Sequence, residues 1–64
     1  MKKFRLEITE CPHKFRTEIE QLALVALEKN NGDEDKMWKA IYAEFPPSEN
    51  TFVDALSISV IKDN

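Results

Sequence analysis

The chain has 64 residues, 42% of them hydrophobic and 9% aromatic, and a formal net charge of −3. That length makes one domain, 1–64, and that composition is too apolar for a disordered chain. The acidic balance argues against general nucleic-acid binding, which needs a basic face.

The single cysteine excludes an intrachain disulfide, and one histidine with one cysteine cannot complete a closed zinc site, so no metal is expected. A chain of this size buries only about 60% of the surface its unfolded form exposes. With no staple available, oligomerisation is the expected source of extra stability, and a homo-oligomer is the expected state. No apolar run approaches the roughly 18 residues of a membrane span. The first ten residues, MKKFRLEITE, lack the apolar core of a signal peptide. A lone thiol suits a reducing compartment, so a cytoplasmic location is expected.

In chain order, residues 3–9, KFRLEIT, alternate cleanly. Phe4, Leu6 and Ile8 point one way, and Lys3, Arg5, Glu7 and Thr9 the other, which predicts a half-buried strand with a solvated face. The period then changes. Pro12 suits the first turn of a helix, where its missing N–H is not needed, so a helix is expected from about residue 12. From Phe15 to Lys29, the residues Phe15, Ile19, Leu22, Ala23 and Ala26 fall on one arc of a helical wheel. Leu24 falls among the polar positions, and Val25 and Leu27 flank the buried stripe, so this helix carries more apolar surface than one core face needs. Asn30-Asn31-Gly32 tolerate the left-handed backbone that stops helices.

Asp33-Glu34-Asp35 begin a second helix, where acids complement the positive end of the helix dipole. Met37, Trp38, Ile41, Tyr42 and Phe45 share one side of it. Pro46-Pro47 end it, because the residue before a proline is pushed away from helical dihedrals. Residues 48–50 read as a turn, and Thr51 to Asp54 as either a short helical turn or an early strand. From Ala55 to Lys62 alternation returns, with Leu56, Ile58 and Val60 on one face. The expected fold is therefore α+β, a β-α-α-β domain whose terminal strands pair as a sheet with two helices on one face. A two-stranded sheet leaves both edges open, so the sheet or the helix face is expected to be completed by oligomerisation.

The charge is uneven. Residues 1–16 hold five bases and two acids, a net +3, and the remainder holds four bases and ten acids, a net −6. Arg5, His13, Lys14 and Arg16 thus form a candidate anion-binding corner with the first turn of the helix. Cys11 beside His13 raises the question of a reactive thiolate, but no second cysteine and no Cys-x-x-Cys motif accompany it. The only glycine, Gly32, lies far from this corner, which excludes phosphate-loop and dinucleotide fingerprints, and no cofactor is expected. Asp33-Glu34-Asp35 lack the glycine and glutamate spacing of a calcium loop. Ser57 and Ser59 have no nucleophile elbow around them.

These observations make an enzyme improbable. The expectation is a small non-enzymatic, oligomeric binding protein, an inhibitor or adaptor that binds a host protein. Its size and charge are common among phage and mobile-element proteins of that kind. The candidate interface residues are Leu24, Leu27, Trp38 and Tyr42. The alternative expectation is a binder that sequesters a small anionic, nucleotide-like ligand at a subunit interface through the basic corner.

Overall fold

The structure, a computed structural model, describes residues 3–63. The elements run in the order β1 (Lys3–Thr9), a 3-10 turn (His13–Phe15), α1 (Arg16–Lys29), α2 (Glu34–Glu44), α3 (Phe52–Ala55) and β2 (Ser57–Asp63). β1 and β2 pair antiparallel in one two-stranded sheet. The β-α-α-β order and α+β class expected from the sequence are the ones found.

The register runs unbroken from Lys3 opposite Asp63 to Thr9 opposite Ser57. It sets Leu6 against Val60 and Ile8 against Ile58 on the face that meets the core. Arg5, Glu7, Ser57 and Ser59 take the other face and are exposed. A period of two makes this division automatic once one face is buried.

α1 lies along β1 and packs side by side with α2. Its 14 residues rise about 20 Å, close to the length of a seven-residue strand, so helix and strand match end to end. The core is made of Ile8, Ile19, Ala23, Ala26, Leu27, Met37, Ile41, Phe45, Val53 and Leu56. No polar or charged side chain among the described residues is buried. Burying an aliphatic side chain of this kind is worth about 1.5–3 kcal/mol, so Ile19, Leu27, Met37, Ile41 and Val53, the largest that are fully enclosed, dominate the stability.

The two ends of the domain are closed differently. At one end Phe15, Phe45 and Phe52 meet as a three-ring cluster, with centroids 5.3 Å apart for Phe15–Phe45 and Phe15–Phe52 and 5.9 Å for Phe45–Phe52. It ties the start of α1 to the end of α2 and to α3. At the other end α1 stops in a left-handed turn. The Gly32 N–H donates to the Leu27 carbonyl (2.8 Å), with Asn31 at φ +59° and Gly32 at φ +85°. That six-to-one bond is the Schellman closure. The Asp33 carboxylate then caps α2, accepting from the N–H groups of Asp35 (3.0 Å) and Lys36 (3.4 Å).

Two boundaries and one residue's burial differ from the sequence expectation. Pro12 is extended (ψ +134°), so the expected first turn of the helix is a separate 3-10 turn, closed by the Phe15 N–H on the Pro12 carbonyl at 3.0 Å. Residues 52–55 settle as helix, and β2 begins at Ser57 rather than Ala55, with Leu56 as the extended residue between. The third difference is a correction. Leu27, expected at an interface, is completely enclosed in the core. α1 is gripped by β1 on one side and α2 on another, so its buried arc is wider than a single-sided helix needs and takes in Leu27.

Gly32→Ala is expected to destabilise the domain by about 1–2 kcal/mol in urea titration, the cost of a left-handed alanine. The added methyl would also stand 3.3 Å from the Phe4 ring. Asp33→Ala is expected to cost about 1 kcal/mol through loss of the α2 cap, read as a lower thermal midpoint.

Candidate functional site

The predicted basic corner draws on three places in the fold: β1, the 3-10 turn and the start of α1. His13 and Lys14 are exposed in the 3-10 turn, and Arg16, also exposed, is the first residue of α1. Arg5 lies in the middle of β1, opposite Ile61, on the sheet face turned away from the helices. Four residues of strand, about 13 Å, separate Arg5 from the end of β1 that leads to this turn. The side chain of Lys3 lies outside the described residues. Lys14 places its Nζ 4.9 Å from the Phe15 ring centre, over the aromatic cluster. The corner therefore has His13, Lys14 and Arg16 exposed around the start of α1, with Arg5 farther along β1 on the sheet face turned away from the helices.

Cys11 sits at the strand-to-helix corner, half-buried, with its thiol donating to the Pro12 carbonyl at 3.5 Å. Burial pushes the Cys11 thiol up, and the Arg16 guanidinium opposes that only in part. A raised thiol keeps its proton at neutral pH, the opposite of what a reactive thiolate needs. No group of three or more His, Cys, Asp or Glu among the described residues is placed to hold a metal ion.

The predicted interface residues part company. Leu27 is core. Leu24 is half-buried on α1 and does not line the groove between α1 and α2. Trp38 is partly buried against the core, while Tyr42 is 42% exposed, with the two rings 5.7 Å apart. Both lie on the flank of α2 turned away from α1, since Ala40 on the opposite flank faces α1.

Two surface features stand out instead. The first is the free edge of β2. No third strand pairs with it among the described residues. The second is an open groove of about 430 Å³ between α1 and α2. Leu22, Val25, Ala26 and Ala40 form its apolar floor, with Glu18 at one end and Lys29 and Lys36 at the other. Val25 is 50% exposed there, the most exposed large aliphatic side chain described. The wheel had put Leu22 on the core arc and Val25 beside it. The signal for the groove was in the sequence as the spacing 18, 22, 25, 29, which runs four, three, four.

No helix among the described residues is long and apolar enough to cross a membrane. Comparison with protein families, curated proteins and solved structures finds no match, so residues and geometry alone carry the functional reading.

The pH midpoint for alkylation of Cys11 by iodoacetamide is expected above that of a free cysteine thiol, and Arg16→Ala is expected to move it higher. A midpoint displaced to lower pH would contradict the environment described for this thiol.

Proposed function

We propose that this chain is a non-enzymatic binding module, an inhibitor or adaptor that acts by occupying a partner protein, and that it takes an extended segment of that partner onto the edge of β2. One observation carries the reading: β2 is a seven-residue strand with an open edge, and its first five residues carry none of the usual protection, the charges Lys62 and Asp63 standing only at its end. Natural sheets blunt their edges with charge, proline, bulges or short strands. Residues 57–61, Ser-Ile-Ser-Val-Ile, hold no charge and no proline, and the register through them has no bulge. β1 differs, with Arg5 and Glu7 exposed along it.

An added strand gains main-chain hydrogen bonds along the edge, and alternate side chains supply selectivity. Ile58 and Val60, half-buried on the core face, offer apolar contacts to every second residue of an incoming segment. Ser57 and Ser59 offer hydroxyls on the other face. The wholly apolar interior supports occupancy over catalysis, since general acid–base chemistry draws on ionisable groups held in a shaped, partly desolvated site.

The test pairs a partner captured by the wild-type chain with the variant Ser57→Lys/Ser59→Lys. Both positions are exposed, so the fold is expected to survive while the edge becomes charged. The captured partner is expected to be lost with the variant, and amide exchange across residues 57–63 is expected to slow in the wild-type complex. Protection that falls on other segments, or a partner retained by the double-lysine variant, would overturn the reading.

A further inference from the structure

We infer that the α1–α2 groove is a self-docking face, occupied by α1 of a second copy of this chain running antiparallel about a two-fold axis. Glu18, Leu22, Val25 and Lys29 are spaced four, three and four residues apart, which sets them in one stripe along the outer side of α1. This is the seam spacing of a two-stranded coiled coil, with apolar residues at the two inner positions and opposite charges at the two outer ones.

The order of charges selects the occupant and its direction. In an antiparallel pair centred between Leu22 and Val25, each Leu22 meets the other copy's Val25, and each Glu18 meets the other copy's Lys29. Lys36, on α2 at the same end of the groove, adds a second cation beside that carboxylate. A parallel pair would instead set Glu18 against Glu18 and Lys29 against Lys29. Like charges at those positions disfavour it. A two-fold interface must be self-complementary, and a surface carrying acid at one end, base at the other and an apolar centre meets that condition by itself. Ala26 and Ala40 at the groove floor have short side chains, leaving room for the opposing Leu22 and Val25 to seat between the helices. Glu18 and Lys29 stand about 16 Å apart along α1, so the seam covers most of the helix.

This inference is independent of strand capture at β2, and its variants leave β2 untouched. Sedimentation equilibrium on the full chain, from micromolar to a few hundred micromolar, reads it directly. The wild type is expected to dimerise, and Val25→Glu to raise the dissociation constant at least about tenfold by placing a charge at the apolar centre. Val25 is half exposed in the single chain, and urea titration checks that the variant folds. Glu18→Lys and Lys29→Glu are each expected to weaken the dimer by about fivefold, with two symmetric pairs reversed in each case. The double variant Glu18→Lys/Lys29→Glu is expected to recover part of the loss, with Lys36 still opposing the new lysine, and only the antiparallel pairing produces that recovery. A chain that stays monomeric over the whole range would overturn the inference. So would a dimer indifferent to Val25→Glu, or one lost with Ser57→Lys/Ser59→Lys instead, which would place the contact at the sheet edge.

Discussion

The contact of α1 with both β1 and α2 is the interaction on which the rest of this domain depends. A two-stranded sheet is marginal in water by itself, and so is an isolated helix of about 14 residues. Each becomes stable by burying its apolar face on the other. Ala23 and Ala26 allow the close approach, since short side chains keep the backbones near one another. Ile19 and Leu27 supply the bulk, and Met37 and Ile41 meet them from α2. A domain of this size has little redundancy, so one helix ends up joining the sheet, through β1, to α2.

The two closures at the ends of the molecule serve that same contact. The Phe15, Phe45 and Phe52 rings fix the angle at which α1 leaves the sheet and α2 returns to it. The left-handed turn at Asn31 and Gly32 reverses the chain where the loop also touches Phe4 and Lys62 at the end of the sheet. Gly32 is required there twice, once for its dihedral and once for the room beside the Phe4 ring. Among the described residues the interior is wholly apolar, and the surface carries an open strand edge and an apolar groove with opposite charges at its ends.

Much of the fold was legible in the residue pattern. Strong alternation marked residues 3–9, and the Asn-Asn-Gly and Pro-Pro signals placed the ends of α1 and α2. The acidic start of α2 announced a helix N-terminus, although only Asp33 acts as its cap. The segment before β2 was harder to read because Phe52 to Ala55 fit either a single helical turn or the first residues of a strand, and nothing local decides between them. The candidate sites were less legible than the fold. Arg5 and Arg16 look like neighbours when charge is counted along the chain, but a strand sends alternate side chains to opposite faces, and Arg5 went to the face that the helices do not cover.

By itself the sequence determined the periods, and through them the elements, their order and the polarity of each face. It also determined which residues could stop a helix. Only the tertiary structure decided which of the surplus apolar residues on α1 were needed inside. Leu27 went to the core and Val25 stayed in solvent, because α2 packs on one flank of the helix and not around it. A helical wheel records the direction of each side chain but not how many neighbours surround the helix. Partner number and position follow from long-range packing, and that is why Leu27 was misplaced and the groove beside Val25 was not foreseen.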